Sequence, residues 1–185
     1  LLVGFSAVFI GGIIGTLLGI FAGYYGRLVD DIIMRLADIQ LAFPFILLAI
    51  LFLIVLGEGL INLILVLGVG QWVTYARIAR AQTISQKEKE YVAAARLIGL
   101  NHSRIMMRHI LPNVLSPVLV IATITLALAI IAEATLSFLG VGAPPTKPSL
   151  GTLIRVGQDF LFSGEWWILL FPALTLLSLS LIHIS

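Results

Sequence analysis

Long apolar segments without charge alternate with short charged segments along the whole chain. Five apolar segments lack Asp, Glu, Lys and Arg and, as helices, are long enough to cross about 30 Å of hydrocarbon. They are residues 1–26, 39–57, 59–76, 109–132 and 166–185. None has the strict alternation of apolar and polar residues that a membrane β-strand requires. The pattern therefore predicts an all-α fold, a polytopic transmembrane helical bundle with five spans.

The composition supports this prediction. Hydrophobic residues make up 60% of the chain and charged residues 11%, and the mean hydropathy is +1.13, far outside the range of soluble globular proteins. We treat residues 1–185 as one transmembrane domain. Because Leu1 is not an initiator methionine, we expect an upstream helix or signal segment to be missing. The apolar end, 179–185, has no basic flank, and we expect the chain to be cut there as well.

The basic residues are distributed unevenly between the two sides that this topology defines. Nine of the eleven Lys and Arg residues fall on one side: Arg27, Arg35 and the seven from Arg77 to Arg108. Lys147 and Arg155 are left for the other side. Because segments rich in Lys and Arg stay in the cytoplasm, the side with nine basic residues is predicted to be cytoplasmic.

The most polar segment, residues 82–112, is predicted to lie in water on the cytoplasmic side. Good helix formers predict a short helix from Glu88 to Ile98, with a narrow face of four residues: Tyr91, Ala94, Ala95 and Ile98. Because so short a helix is rarely stable alone in water, we expect it to lie in a groove of another protein. The alternative is an ordinary basic loop that only orients the protein in the membrane.

A glycine marks the end of this predicted helix. Gly99 stands where a helix commonly ends with a residue in the left-handed conformation. A second short helix, capped by Asn101 or Ser103, is expected to run up to Pro112, near which the fourth span begins. Before the first helix, Lys87 is predicted to be a solvated charge of little structural importance.

Glycines recur every four positions along the first span: Gly11, Gly15, Gly19 and Gly23. Small residues at this spacing form a flat stripe on one face of a helix, where the backbone of another helix can approach closely. We therefore predict a tight helix contact at this stripe. The residues leave open whether that contact is static or shifts.

Charged and aromatic residues flank the next spans. Residues 24–38 alternate charged and apolar side chains at helical spacing, which predicts a helix at the membrane interface. Within it, Arg27 is the expected ion partner of Asp30, three residues away. After the third span, Trp72 and Tyr75 are expected to be an aromatic pair at the membrane interface.

The second and third spans are joined by a very short turn, Gly57-Glu58-Gly59. A turn of this length predicts that the two helices form an antiparallel hairpin. Pro44 lies near the inner end of the second span, where it is expected either to kink the helix or to begin it.

The outer end of the fourth span carries a carboxylate, Glu133. A carboxylate within a membrane span is a candidate proton site or substrate contact, and Glu133 is a candidate pathway residue on this ground. It is also close enough to the end of its span to reach the outer headgroups, and the sequence favours neither interpretation. The Gly- and Pro-rich residues 137–164 predict an outer loop with a short helix from Thr152 to Phe162.

The chain has no sequence pattern for catalysis or cofactor binding. It contains no Gly-x-x-x-x-Gly-Lys-Ser/Thr phosphate loop, no His-Glu-x-x-His pattern and no Gly-x-Ser-x-Gly elbow. The absence of cysteine excludes disulfides and Cys-ligated metal sites. We therefore predict no enzymatic activity, no cofactor, no metal site and no nucleic acid partner, with any ATP bound by a separate protein.

Two neighbouring segments resemble the EAA loop of ABC-importer permeases. They are Ala93-Ala94-Ala95-Arg96-Leu97-Ile98-Gly99 and, after a helical stretch, His109-Ile110-Leu111-Pro112. In that family the loop forms a coupling helix that docks on the ATP-hydrolysing subunit. The resemblance implies that residues 82–112 are a cytoplasmic coupling loop, with these residues in the coupling site: Glu90, Tyr91, Ala94, Ala95, Arg96, Gly99, Leu111 and Pro112. Two positions depart from the usual motif, Ala93 in place of Glu and His109 in place of Ile.

The outer segment from Ser137 to Gly151 is similar to the second permease subunit of dipeptide, oligopeptide and nickel importers, where Trp often replaces Leu150. The resemblance implies a type I ABC importer permease fold in the cell inner membrane. The implied function is that of a permease subunit of an ATP-driven importer, forming half of the translocation pathway for peptides or a similar small solute. The implied partners are a homologous permease subunit, two ATP-binding subunits, an extracytoplasmic solute-binding protein and membrane lipid.

The alternative function is a proton- or ion-coupled secondary transporter or channel in which Glu133 is the working residue. Such a protein needs no docking helix, and proton coupling usually uses charges nearer the bilayer centre. Residues 82–112 are therefore the feature that discriminates between the two functions. The substrate itself is not identified by these residues, although the resemblance favours peptides over nickel.

Overall fold

The computed structural model describes residues 1–57, 59–143 and 149–184, and at 183 and 184 the backbone alone. Its helices are α1 (Leu2–Tyr25), α2 (Arg27–Leu41), α3 (Phe45–Leu56), α4 (Leu60–Lys87), α5 (Glu90–Leu97), α6 (His102–Ile105), a π-helix (Met106–Ile110), α7 (Leu111–Phe138), α8 (Leu150–Asp159), a 3-10 helix (Leu161–Ser163) and α9 (Trp167–Ile184). The described residues contain no β-strand. The predicted all-α fold is confirmed.

Three helices of the described part are long and apolar enough to cross a membrane: α1, α4 and the continuous helix His102–Phe138. The pair α2 and α3 makes a fourth if it is counted as one span, and α9 is a shorter apolar helix. The predicted second span, 39–57, is interrupted between Leu41 and Phe45. The cause is Pro44, which has no N–H for a helical hydrogen bond and disfavours the helical conformation of the residue before it. Pro44 therefore begins α3 instead of kinking one long helix.

The helix that enters α7 is continuous with the second helix of the polar segment. A separate helix ending at Pro112 was the expectation, but α6, the π-helix and α7 form one helix from His102 to Phe138. Pro112 has no N–H to donate four residues back, and it is the second residue after the wide turns of the π-helix. Leu111 is partly buried and Pro112 is exposed.

One compact unit of the chain comprises residues 1–10, 43–70 and 123–185. Its core cluster draws on α1, α3, α4 and α7: Val3, Ala7, Ala49, Leu53, Leu63, Val66, Leu67, Ala132 and Leu136. A side chain at Gly70 would overlap the Phe45 ring, so the start of α3 lies beside this part of α4 as in an antiparallel hairpin. Asn62 closes the hairpin by donating to Leu56 O at 2.9 Å. Glu58, in the predicted turn, lies outside the described residues, as do 144–148 in the predicted outer loop.

In the same unit, two glycines of α8 allow it to pack closely on α7 and α9. The backbone of Gly151 lies against Ala134 of α7, and that of Gly157 lies against Leu169 of α9. Ser149 caps α8, since its Oγ accepts a hydrogen bond from the Thr152 N–H at 3.2 Å. The short helix of the predicted outer loop is therefore present, and it begins at Leu150, earlier than the sequence suggests.

A second compact unit comprises residues 11–42 and 71–122. Its core cluster consists of Ala37, Trp72, Val73 and Ala76, with Leu18, Ile33 and Met34 packed against it. Trp72 and Tyr75, the predicted interfacial pair, are both buried in this unit. Trp72 Nε1 donates to Gln40 Oε1 at 2.7 Å, which joins α4 to α2. The polar segment that carries the predicted coupling residues also belongs to this unit.

Candidate functional site

The helix of the polar segment is α5, and its C-terminal end is closed by backbone hydrogen bonds. Gly99 has a φ of +80°, the left-handed conformation that its place in the sequence predicts. Its N–H donates to Arg96 O at 3.0 Å, and the N–H of Leu100 donates to Ala95 O at 3.2 Å. These two bonds form a Schellman motif, in which a glycine redirects the chain at the end of a helix.

Both helices beside this turn have a favourable N-terminus. Glu90 is exposed in the first turn of α5, where its negative charge complements the helix dipole. Asn101 caps α6, because its Oδ1 accepts a hydrogen bond from the Arg104 N–H at 2.8 Å. Gly99, between them, has nothing within 4 Å of the position that a β-carbon would take. The turn is therefore determined by local backbone chemistry and not by packing.

The face that α5 presents to solvent differs from the expected one. Val92 and Ala95 are buried, whereas Leu97 is 88% exposed and Ile98 is 77% exposed. Ala95, expected on the outward face, points inward together with Val92 because the two lie three residues apart on one side of the helix. We use the name exposed patch for the outward residues of α5 and its end: Ala93, Ala94, Leu97 and Ile98.

Tyr91 joins the start of α5 to both neighbouring helices. Its hydroxyl donates to Gln86 Oε1 at 2.8 Å, and Asn113 Nδ2 donates to the Tyr91 oxygen at 3.4 Å. Asn113 also donates to His109 O, in the π-helix, at 2.8 Å. Partial burial raises the pKa of the Tyr91 phenol above its ordinary value.

The last turn of α1 contacts the polar segment on both sides of Gly99. The Tyr24 hydroxyl lies 2.7 Å from His102 Nδ1, and the two rings meet edge to face with centroids 5.6 Å apart. The Arg96 guanidinium lies over the Tyr24 ring, 5.5 Å from its centroid, which is within the range of a cation–π interaction. Tyr24 itself is 8% exposed. One tyrosine of α1 therefore contacts the end of α5 and the start of α6.

The glycine stripe of α1 lies against the backbone of α4. A β-carbon at each of three glycines would lie within 3 Å of a carbonyl oxygen of α4: Gly15 near Trp72, Gly19 near Ala76 and Gly23 near Arg80. Because both sets advance by four residues in the same order, α1 and α4 run in the same direction here. Gly11 is buried as well. Lys87 Nζ donates to Gly23 O at 2.8 Å, so Lys87 is part of this contact and not the solvated charge that was expected.

Two ion pairs join α2 to α4. Arg80 donates to both carboxylate oxygens of Asp30, through Nε and Nη2, and Arg77 donates to Asp38 at 2.6 Å. Asp30 was expected to pair with Arg27, but its partner is Arg80, 50 residues away in the chain. Spacing along one helix cannot reveal such a pair, because α2 and α4 meet only in the folded protein.

Glu133 lines a cavity of about 470 Å³ in the first compact unit. Most side chains around the cavity are apolar, among them Leu2, Ile130 and Leu153. Ser137 Oγ donates to Glu133 Oε1 at 2.8 Å, and the Ala143 N–H donates to Ser137 Oγ at 3.1 Å. The carboxylate thus has a structural hydrogen bond as well as a position at the wall of a cavity.

Residues 15–184 match the protein family described as binding-protein-dependent transport system inner membrane component. The chain belongs to this family. Proteins of the family are membrane components by that description, and the long apolar helices of this chain agree with it.

Relatives of this chain carry names of peptide permeases. It is 41% identical over 175 residues to the dipeptide transport system permease protein DppC of Alkalihalophilus pseudofirmus, covering 95% of this chain and 57% of the relative. It is 39% identical over 171 residues to the oligopeptide transport system permease protein OppC of Bacillus subtilis, covering 92% of this chain and 56% of the relative. The chain thus spans less than three fifths of the length of these relatives.

The fold of this transport component is similar to that of a chain in an inward-facing structure of the MetNI methionine ABC transporter. The TM-score is 0.70 at 22% identity, and the likeness covers 98% of this chain and 88% of that chain. At this identity the likeness shows the fold alone. It confirms the predicted helical fold of an ABC-importer permease.

For three residues of the site, the sequence pattern predicts the observed contact or exposure weakly or not at all. Tyr24 and His102 are 78 residues apart in the chain, and neither belongs to a motif that predicts their contact. The exposure of Leu97 is predictable once Val92 and Ala95 are known to face inward, because helical spacing places Leu97 on the opposite side of α5. The three consecutive alanines of α5 obscure the orientation of the helix, because they are small enough for either face.

Proposed function

We propose that the whole protein is a permease subunit of an ATP-driven importer of peptides, and that α5 is the helix that couples it to an ATPase. Family membership and the names of the relatives support the importer function and the peptide substrate. The single observation that carries the coupling role is the exposed patch of α5. Leu97 and Ile98 are almost fully exposed on a helix whose neighbourhood is rich in charge.

An exposed apolar patch in a polar segment indicates a contact with another protein. The patch is helical, and its remaining residues are alanines, so another surface can approach the α5 backbone closely. A groove of an ATP-binding subunit is the occupant that the family membership favours. Membrane lipid is the less favoured occupant, because the charged residues Glu90 and Arg96 are exposed on the same short helix.

The proposed assembly contains this subunit, a homologous permease subunit, two ATP-binding subunits and an extracytoplasmic solute-binding protein. The chain has no phosphate loop, so ATP is hydrolysed in the partner subunits. The loop 82–112 lies in the cytoplasm in this proposal, which agrees with its excess of basic residues. Glu133 remains a candidate pathway residue because it lines a cavity, and no comparison supports the alternative of an ion-coupled carrier built on it.

The test is a Leu97→Lys variant of the full-length subunit, expressed with its partners. Lysine is a good helix former, and its charge suits the end of a helix, so α5 should keep its structure. Burying an ammonium group in an apolar groove is unfavourable, and we expect ATPase binding to weaken at least about tenfold. Uptake of peptide should fall with it, while the amount of subunit in the membrane stays the same. Binding is measured by co-purification over a range of ATPase concentrations.

Ser85→Lys is the matched control, since it adds the same charge at an exposed position of α4 outside the patch. It should bind the ATPase and import peptide like the unmodified subunit. If Leu97→Lys binds and imports as well as Ser85→Lys, the patch is not the docking surface and the coupling role of α5 is rejected.

A further inference from the structure

Tyr24 contacts two elements that are separated by a single turn. Its ring carries the Arg96 guanidinium from the end of α5, and its hydroxyl is 2.7 Å from His102 Nδ1 at the start of α6. Gly99 lies between these two partners, and nothing contacts the position of its missing side chain. The tyrosine therefore contacts both sides of the turn.

The residue before Tyr24 is tied to a different helix. Gly23 O accepts a hydrogen bond from Lys87 Nζ at the end of α4, at 2.8 Å. A β-carbon at Gly23 would lie 2.7 Å from Arg80 O and 2.8 Å from Thr83 Cβ, so the backbones of α1 and α4 touch at this point. Two adjacent residues of α1 thus connect α4 with the turn between α5 and α6.

We propose that Tyr24 is a positioning residue for coupled transport, through which a displacement of α5 is passed to α1. The contacts form a continuous path. Arg96 and His102, on either side of the turn, both contact Tyr24. Gly23, in the same helical turn of α1, contacts α4. A close-packed contact transmits a shift because it cannot open without losing its hydrogen bonds and ring contacts. This inference rests on the proposed function, since it needs an ATPase that moves α5.

The integrity of α5 does not depend on the Tyr24 hydroxyl. The helix is anchored by the buried Val92 and Ala95 and is closed by the hydrogen bonds around Gly99. Phenylalanine at position 24 would keep the ring beneath Arg96 and lose only the hydrogen bond to His102. Removal of this hydroxyl should therefore change the transmission of movement and not the docking of the ATPase.

The experiment uses the full-length subunit with its partner permease, ATPases and solute-binding protein, reconstituted in proteoliposomes with trialanine as the transported probe. For Tyr24→Phe we expect the number of trialanine molecules imported per ATP hydrolysed to fall at least threefold. The amount of ATPase bound should remain unchanged. Tyr25→Phe is the matched control, because within the described residues the Tyr25 hydroxyl has no hydrogen-bond partner, and this variant should import normally.

Variants of His102 separate the hydrogen bond from general packing. His102→Ala should lose at least as much import per ATP as Tyr24→Phe, because it removes the ring contact with Tyr24 as well as the hydrogen bond. The double variant should lose no more than His102→Ala alone, since Tyr24→Phe removes only the bond that His102→Ala already lacks. In His102→Asn, the side-chain amide is bonded to Cγ, as Nδ1 is in histidine. This variant should therefore regain at least half of the import per ATP that His102→Ala loses.

Three outcomes overturn the inference. If Tyr24→Phe imports as much trialanine per ATP as Tyr25→Phe, the contact does not transmit movement, and the proposed function stands. If Tyr24→Phe loses bound ATPase in proportion to import, Tyr24 only shapes the docking surface. A complex of unmodified subunits that imports no trialanine on adding ATP rejects the proposed function itself, and this inference with it.

Discussion

Gly99 is a residue whose conformation determines the direction of the chain between two helices. Its φ of +80° lies in the left-handed region. Residues with a β-carbon adopt this conformation at a cost of about 1 to 2 kcal/mol. No neighbouring atom restricts a side chain there, so the cost of a substitution is backbone strain and not crowding. This makes the position suitable for isolating the effect of strain.

We expect Gly99→Val to destabilise the turn by about 1 to 2 kcal/mol, and Gly99→Asn by less than half of that, because asparagine tolerates the left-handed conformation. Thermal unfolding of the purified chain in detergent gives the stability of each variant. ATPase co-purification should fall for Gly99→Val and be largely kept for Gly99→Asn. Equal behaviour of the two variants would rule out backbone strain as the reason for glycine at this position.

Lys87 shows that an isolated charge in a polar segment is not always solvated. Its ammonium group donates to Gly23 O at the end of α1, where helix carbonyls have no partner within the helix. A cation at this place also complements the helix dipole. Lys87→Ala is therefore expected to weaken the contact between α1 and α4, and it is not a suitable neutral control for variants of α5.

Among the helices, α1 and α4 approach each other closely in the second compact unit. Glycines of α1 allow the two backbones to touch, which is how helices associate where lipid removes the hydrophobic driving force. The ion pair between Asp30 and Arg80 adds α2 to the same assembly of helices. The glycine spacing of four predicts the face of α1, and the structure identifies α4 as the partner.

Alanine substitutions at two glycines of α1 test this contact. A β-carbon at Gly19 would lie 2.3 Å from Ala76 O and 2.7 Å from Ala79 Cβ, so the helices must separate, and we expect a loss of about 1 to 3 kcal/mol. At Gly12 the nearest atom is Tyr75 Cε1 at 3.8 Å, an ordinary contact. Gly12→Ala should therefore be neutral or stabilise α1 by up to about 1 kcal/mol.

Thermal unfolding in detergent compares the two variants, which differ from the parent by the same methyl group. Gly19→Ala should melt at a lower temperature than the parent, and Gly12→Ala at the same temperature or a higher one. Equal melting temperatures for both would mean that α1 and α4 are not held backbone to backbone.

At the scale of the whole molecule, the distribution of charge predicts the orientation in the membrane. Nine basic residues on one side and two on the other give a strong bias toward one topology. The chain has no cysteine, so a single introduced cysteine is a unique label. Gln86 is unsuitable for it, because its side chain is buried and accepts a hydrogen bond from Tyr91.

Ser85→Cys and Ser163→Cys place the label at exposed positions in the segments predicted to be cytoplasmic and external. In intact cells, a membrane-impermeant maleimide should react with Cys at position 163 and not at position 85, and inverted vesicles should give the reverse. Both should react after detergent treatment, which is the control for accessibility. Labelling of position 85 in intact cells would overturn the orientation and the cytoplasmic docking of α5.

The long uncharged segments of the amino-acid sequence are enough to predict membrane helices, because in lipid such segments can satisfy their backbone hydrogen bonds only as helices. The sequence also determined the end of α5, since the preference of Gly99 for positive φ is a local property. The folded arrangement was needed to see which side of α5 is exposed, which carboxylate Arg80 binds, and that Tyr24 contacts His102. The reason is physical: helical periodicity identifies a face, but many neighbours and registers are compatible with one face. Packing of helices that are 50 or 78 residues apart in the chain selects among them.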